Sequence, residues 1–402
     1  MATGIVSLKF VSASLVFLLD SRLDKRWWGK VAALHATQSA KIIRKLDCFL
    51  VFSAAIIMQF YAKSHEVALS DPRFLLLQQW LAEFFGSPVD LNVISGDASF
   101  RRYLRATHAD KHYIVADSPP DKVDNQPFIA LATAYLAAGV TVPQILAFDA
   151  DQGFILQQDL GDTQLLSLLD NSNVSVWYQQ ALAQLPRIAK VTQSRLGALP
   201  DYNDEFVARE LAIFPEWLLG EHWHIALSED EQQLLAQSFA VLIANANAQP
   251  KVGMHRDYHS RNLMVVNDEL AVIDFQDAVL GPVTYDAVSL LRDCYVRWPD
   301  TVVDSLLEQF YLQCLAQQLI GVDVSLAQFT RWFDLMGIQR HVKAAGIFAR
   351  LLHRDGKSGY IKDIPLTLQY IVDISRRYAE LAPLGNWVAE KLLPRALQDA
   401  HS

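Results

Sequence analysis

The chain has 402 residues, of which 51% are apolar and 20% charged, with a net charge of −9. That length suits two or three compact units, the composition is not that of a disordered chain, and the acidic balance argues against nonspecific nucleic-acid binding. An anionic small molecule stays open, because a local cationic cluster can oppose the global sign. Only Cys48, Cys294 and Cys314 occur. They have no metal-ligand spacing and form no even disulfide set, so a reducing compartment is expected.

Residues 1–68 differ from the rest. The stretches 11–19 and 49–62 are apolar, yet neither reaches the ~20 residues that span a bilayer. Three readings fit this extension: a membrane-associating segment, a small helical appendage, or a true start of translation downstream near Met58. From Asp71 the pattern becomes regular. Asp71 and Pro72 start a helix that stops at Gly86. Residues 91–107 read as two strands broken by Ser95-Gly96-Asp97-Ala98-Ser99, and residues 112–120 as a third. A short helix over 128–140 closes at Gly139. Two more strands follow around Asp151-Gln152-Gly153. After Gly161 the pattern is mostly helical. A strand-rich unit over 69–160 therefore precedes a larger helical unit over 161–402.

One segment breaks the helical pattern, GMHRDYHSRNLMVVNDELAVIDF at 253–275. NLMVV and LAVID read as short strands joined through Asn267-Asp268-Glu269. Asp257 and Asn262 stand before the first strand and Asp274 ends the second, so antiparallel pairing gathers all three at one edge. Two carboxylates and an amide oxygen would repel without a cation. Mg²⁺, which takes hard oxygen ligands, suits them.

This spacing resembles the catalytic core of the protein-kinase-like superfamily, with H-R-D-x-x-x-x-N at His255, Arg256, Asp257 and Asn262 and D-F at Asp274. The resemblance implies an α+β, two-lobed fold with a small antiparallel-sheet N-lobe and a larger, mainly helical C-lobe. It implies ATP and Mg²⁺, with Asp257 orienting the acceptor hydroxyl and Asn262 and Asp274 holding the metal. His255 would tie the catalytic loop to the metal loop, and Asp286 would support the catalytic loop. Gly96 and Ser99 fall where a phosphate loop belongs; Gln158, Asp159 and Leu160 fall at the interlobe hinge that reads adenine. One departure is plain: Ala116 stands where the third-strand lysine belongs, and the next helix lacks its glutamate partner. Arg101, Arg102 or Lys122 then become candidates to meet the phosphates. The alternative is a nucleotide-binding pseudokinase.

The segment is closer to small-molecule kinases of the aminoglycoside phosphotransferase type. With ELAIFPEWLLGEH and QRHVKAAGIFARLLHRDGKSGYIKDIP it resembles the bacterial cell-wall recycling sugar kinases, from about Leu69 to near the C-terminus. That resemblance implies a cytoplasmic monomer phosphorylating the anomeric hydroxyl of an amino sugar, N-acetylmuramate or N-acetylglucosamine, with no nucleic-acid partner and no obligatory membrane partner. Other kinases of the fold act on aminoglycosides, choline or homoserine. For the sugar, the amphipathic stretch 204–224 offers Glu210, Glu216 and Trp217; the same pattern also fits a core stripe with a solvated acidic face. Arg340, Lys343, Arg350 and Arg354 fall within an arc of roughly 80° on a helix. Such a stripe is either solvated or, through Arg340 and Arg354, a receptor for a carboxylate.

Overall fold

The computed structural model describes residues 71–94 and 100–400. The extension over 1–68 lies outside the described residues, as do Gly96 and Ser99. The chain divides into a unit ending at Trp80 and another from Leu81 onward. Helix α1 (Pro72–Phe85) crosses that division. It starts and stops on local chemistry: the Asp71 carboxylate accepts the Arg73 amide at 2.9 Å, Pro72 sits in the first turn where its missing N–H costs nothing, and Gly86 takes φ +73°.

The unit from Leu81 begins with a five-stranded antiparallel sheet of order β1-β2-β3-β5-β4. Its strands are β1 (Asp90–Val93), β2 (Arg102–His108), β3 (Lys111–Asp117), β4 (Ile145–Asp149) and β5 (Phe154–Gln158), with helix α2 (Gln126–Ala137) between β3 and β4. Residues Phe154 to Gln157 are buried in succession, as expected of a strand with neighbours on both sides and cover on its face. Helix α2 ends where Gly139 adopts φ +77°.

The sheet leaves toward the helical lobe through a short, tethered crossing. The Arg105 guanidinium on β2 meets the Asp159 carboxylate at 2.6 Å and the Asp162 carboxylate at 2.8 Å. One residue later the chain is bound to the other side: the Thr163 carbonyl accepts the Val265 amide at 2.9 Å, and Gln164 bridges to Met264.

The larger lobe contains α3 (Val174–Ala189), the two-residue strands β6 (Gln193–Ser194) and β7 (Gly197–Ala198), α4 (Asp204–Ile213) and α5 (Glu229–Asn247). Ser228 and Glu231 close a reciprocal capping box at the start of α5. Strands β8 (Lys251–Met254), β9 (Leu263–Val266), β10 (Glu269–Val272) and β11 (Val279–Pro282) follow, then α6 (Tyr285–Leu291), α7 (Asp300–Ala316), α8 (Leu326–Asp355), α9 (Ile364–Ser375), α10 (Ala382–Trp387) and α11 (Leu393–Asp399).

Two features differ from the sequence expectation. The β9–β10 hairpin is not the lobe's only β-structure, because β8 and β11 pair outside it and hold its two ends together. The stretch 204–224 is not one regular helix either. It is α-helical to Ile213 and then widens into π-type turns from Phe214 to His222. Pro215 has no N–H to give to the α-ladder there. Against this widened segment lies the 30-residue α8, most of whose middle is buried. The two approach so closely at Gly346 that a Cβ there would fall 2.7 Å from the Ile213 carbonyl and the Phe214 nitrogen.

Candidate active site

Strand β8 delivers His255, Arg256 and Asp257 into a loop that Asp286 secures. The Asp286 carboxylate, at the start of α6, accepts the His255 amide at 2.7 Å and the Arg256 amide at 3.0 Å. These bonds hold Arg256 at φ +76°, a strained value for a non-glycine residue. His255 is buried, and burial pushes its pKa below the usual range. Its Nδ1 accepts the Asp257 amide at 3.3 Å, so Nε2 carries the proton and donates to the Ile273 carbonyl at 3.1 Å. The histidine thus bridges the catalytic loop and the exit of the hairpin.

The β9–β10 hairpin turns through Asn267 and Asp268, both at positive φ, as a two-residue turn matched to strand twist requires. Glu269 already pairs with Val266. At the hairpin's open end the Asn262 amide nitrogen donates to the Asp257 carbonyl at 3.0 Å and to the Asp274 carboxylate at 3.3 Å. Asp274 itself is held at φ +64°. Phe275 packs beneath it against Phe128 and Tyr135 of α2, with ring centroids 4.9 and 5.7 Å away. Asp257, Asn262 and Asp274 are therefore brought to one edge. The Asn262 nitrogen is engaged by both the Asp257 carbonyl and the Asp274 carboxylate, which also accepts the Gln276 side-chain amide at 2.9 Å, so the Asn262 oxygen is the uncommitted end. With the Asp274 carboxylate, that oxygen makes a pair of hard donors that fits Mg²⁺.

Two cavities flank this edge. A cleft of about 340 Å³ lies between the sheet and the hairpin, within the range of small-molecule sites. Ile94, Tyr103 and Ile114 wall it on the sheet side, Gln158 and Leu160 line its hinge end, and Asn262 and Asp274 lie among its floor residues. Asp159, the other hinge candidate, is committed to Arg105. Ala116 is on the same strand face as Ile114, so a methyl group stands where a lysine would reach the cleft. Arg101, just before β2, is not among the residues lining the cleft but lies close to its Phe128 wall. Its guanidinium is buried, bonded to Ser118 Oγ at 3.2 Å and Asn125 Oδ1 at 3.1 Å. It lies 4.8 Å over the Phe128 ring that stacks on Phe275. Arg102 pairs with Asp117, and Lys122 lies exposed beside Asp121.

The second cavity opens beside the Asp257 side chain and is lined by His259, Tyr285, Cys294, Tyr295, Arg340, Lys343 and Phe348, among others. Burial opposes the charge of Asp257, but Lys343, His259, Arg256 and Arg340 outweigh it and bring its pKa down to about 2. His259 adds little of that at neutral pH, because burial and Arg340 bring its own pKa to about 4. Asp257 is thus an ionised carboxylate facing a pocket of positive potential.

The residues expected to meet a sugar are not gathered in one place. Arg340 lines the Asp257 cavity. Glu210 is buried and accepts Arg256 and Lys343, each at 2.7 Å, together with the Tyr202 hydroxyl, so its carboxylate is committed to holding those cations. Glu216 is exposed and Trp217 packs partly buried against the core. Arg354 is exposed and paired with Asp355 at 2.8 Å. Fourteen residues separate it from Arg340, roughly 21 Å along the helix. The basic stripe is therefore neither one solvated face nor one receptor: Arg340 and Lys343 are buried and Arg354 is not.

Comparison with known proteins agrees with this geometry. The profile of a phosphotransferase enzyme family, the aminoglycoside phosphotransferase type, matches residues 90–318. The chain belongs to this family. A Neisseria meningitidis serogroup B protein named N-acetylmuramate/N-acetylglucosamine kinase is 40% identical over 78% of this chain and 94% of its own length. Among solved structures, a Plasmodium vivax ethanolamine kinase superposes with a TM-score of 0.54 at 10% identity, covering 79% of this chain and 89% of that one. A thermostable mutant of aminoglycoside phosphotransferase APH(4)-Ia, in ternary complex with ADP and hygromycin B, gives 0.51 at 16% identity and covers 75% and 98%. At such identities the likeness speaks for the fold, which is the two-lobed α+β kinase fold expected from the catalytic motif.

Within the phosphotransferase site, sequence reasoning missed Tyr295, Cys294 and His259 beside Asp257, and Arg105 at the crossing. His259 had a signal, standing two residues beyond Asp257 within the catalytic loop. Cys294 and Tyr295 had none, since no periodicity marks a turn after a short buried helix. Among the described residues no helix is long and apolar enough to cross a membrane.

Proposed function

We propose that the chain transfers the terminal phosphoryl group of ATP to the anomeric hydroxyl of N-acetylmuramate and N-acetylglucosamine, in the recycling of peptidoglycan sugars. The observation that carries this reading is the bond from Asn262 to the Asp257 carbonyl, which links the linings of two cavities. Asn262 and Asp274 line a cleft of about 340 Å³, and Asp257 lines a separate pocket with Arg340 and Lys343. The Neisseria relative, over nearly its whole length, bears the name of a kinase for these two sugars.

In this reading Gln158 and Leu160 border the adenine. Gly96 and Ser99 belong to the phosphate loop, and Asn262 and Asp274 hold Mg²⁺, which when bound neutralises charge on the phosphates. Asp257, ionised at neutral pH, accepts a hydrogen bond from the sugar hydroxyl, orients it for in-line attack and takes its proton as the bond to phosphorus forms. Arg101 supplies the phosphate-facing cation that Ala116 cannot, tethered by Asn125 rather than by a helix glutamate. Glu210 keeps Arg256 and Lys343 in place. We infer a cytoplasmic monomer, in keeping with two buried free thiols, Cys294 and Cys314; sedimentation tests the monomer.

The test is an ADP-release assay with Mg²⁺ and ATP against N-acetylmuramate, N-acetylglucosamine, an aminoglycoside, choline and homoserine, with NMR of the product's C1. Turnover of the two sugars with phosphate on C1 is expected. Turnover of only the other acceptors, or phosphate on another carbon, overturns the reading.

A further inference from the structure

The pocket beside Asp257 holds one buried cation that no carboxylate meets at ion-pair distance among the described residues, although Asp257 and Asp293 lie near enough to act on its charge. Arg256, Arg292 and Lys343 are the other buried cations of this region, and each meets a carboxylate within 2.7 Å. Arg340 is only 6% exposed, yet among the described residues its polar contact is the Cys294 sulfur at 3.3 Å, with no carboxylate at ion-pair distance. With only a sulfur as hydrogen-bond acceptor, the guanidinium keeps N–H donors for a ligand. Across the same pocket the His259 Nδ1 is buried and has no hydrogen-bond partner. Its ring is fixed edge-on to Tyr295, with centroids 5.4 Å apart.

The neighbouring surface is apolar. Ala344, Ile347 and Phe348 line the pocket beside Arg340 and lie one and two turns further along α8. A cation followed by small apolar groups is the complement of a short chain ending in a carboxylate and carrying a methyl. N-acetylmuramate differs from N-acetylglucosamine by such a group, a lactyl ether. We propose that Arg340 receives the lactyl carboxylate of N-acetylmuramate, with the Ala344, Ile347 and Phe348 face covering its methyl, and so sets the preference between the two sugars. A planar guanidinium takes a carboxylate in a two-point hydrogen bond. Arg354, at the far end of the helix, takes no part.

This deepens the proposed sugar-kinase function and rests on it. The test compares kcat and KM for both sugars in the full chain and in Arg340→Met and Arg340→Lys. Arg340→Met should lower kcat/KM for N-acetylmuramate at least about 30-fold, chiefly through KM, as expected for a lost charge-assisted bond. For N-acetylglucosamine the loss should be at least about 10-fold smaller, any part common to both sugars reflecting the lost influence of Arg340 on Asp257, and Arg340→Lys should recover part of the difference. Equal losses on both sugars would place Arg340 on the transferred phosphoryl group and overturn the assignment. A measurement on the unaltered chain covers the case in which the variants fail to fold. The uncharged lactyl amide of N-acetylmuramate should have a KM at least about 10-fold above that of the acid, and equal KM values overturn the proposal. If the unaltered chain turns over neither sugar, the function itself fails, and that outcome is distinct from either of these.

Discussion

Asp257 differs from an ordinary base in its proton affinity. Held at about 2 by its cationic neighbours against the effect of burial, it is ionised at neutral pH. In the proposed mechanism it contributes by position and charge, and proton transfer to it is favourable only late in phosphoryl transfer. The kcat/KM profile should therefore show no acid limb from Asp257 above pH 5; a limb near pH 6 that Asp257→Asn abolishes would contradict this. Asp257→Asn should lower kcat by about 10² to 10⁴ and leave ATP affinity within a few-fold, because Asp257 is not among the residues lining the nucleotide cleft. Calorimetric titration of ATP beside the turnover assay checks both halves. At Arg101, replacement by Met should raise the KM for ATP or cut kcat by about 10-fold or more, whereas Arg102→Met should do little. Similar effects at the two positions would remove Arg101 from its assigned role. The proposed catalytic residues Asp257, Asn262 and Asp274 stood out in the sequence because one hairpin presents them at fixed spacing. Arg340 stood out only as part of a basic stripe; its place in one pocket with His259 and Tyr295 was not legible, because the three come from separate elements and meet only after folding.

At the scale of elements, legibility followed local chemistry. The start of α1, the stop of α2 at Gly139, the five strands of the sheet and the β9–β10 hairpin all have local signals: a cap, a glycine at positive φ, or apolar runs around a turn. Strands β8 and β11 have none. KVGM and VLGP contain Gly and Pro, which read as turn residues, and their paired residues lie 25 to 31 positions apart. Gly253 in β8 is a packing requirement rather than a turn, since a Cβ there would come 2.2 Å from the Val191 carbonyl. The π-type turns after Ile213 were hidden for another reason. Their cause includes α8, more than a hundred residues later, whose Gly346 allows the backbones to touch. Gly346→Ala should destabilise the protein by about 1–3 kcal/mol, the usual range for forcing atoms into a packed interior. Urea denaturation checks this. A loss below about 0.5 kcal/mol would show that α8 can withdraw from the widened turns at little cost.

For the whole molecule, buried histidines contribute to the response to acid. Burial, aided by Arg340, brings His341 down to about 3. Its Nδ1 bonds to the Gly337 carbonyl at 2.6 Å and its ring stacks on Tyr370 at 4.5 Å. His259 stands at about 4. A histidine whose folded pKa lies below its unfolded value of about 6.5 is neutral in the fold and takes a proton on unfolding. Its effect on stability is complete above pH 6.5, and stability drains away as pH falls from there toward 4. Each fully buried histidine removes up to about 1.4 kcal/mol per pH unit over that window. Denaturation at pH 7.5 and 4.5 should show a clear loss, smaller in His341→Gln than in the unaltered chain. Equal losses would remove His341 from the account.

The crossing between sheet and helices is anchored twice in six residues. Arg105 grips Asp159 and Asp162 from the sheet, and β9 takes hold at Thr163 and Gln164. A swing of the lobes to admit nucleotide would act on these anchors and on two further ties, the Val272 amide bonded to the Thr141 carbonyl at 2.8 Å and Phe128 stacked on Phe275. Of the two anchors the outer is the weaker, because the Asp162 side chain is 76% exposed and its ion pair is open to screening by salt. Ionic strength would thus loosen one of several ties between the jaws, quite apart from any influence on the phosphates they close upon.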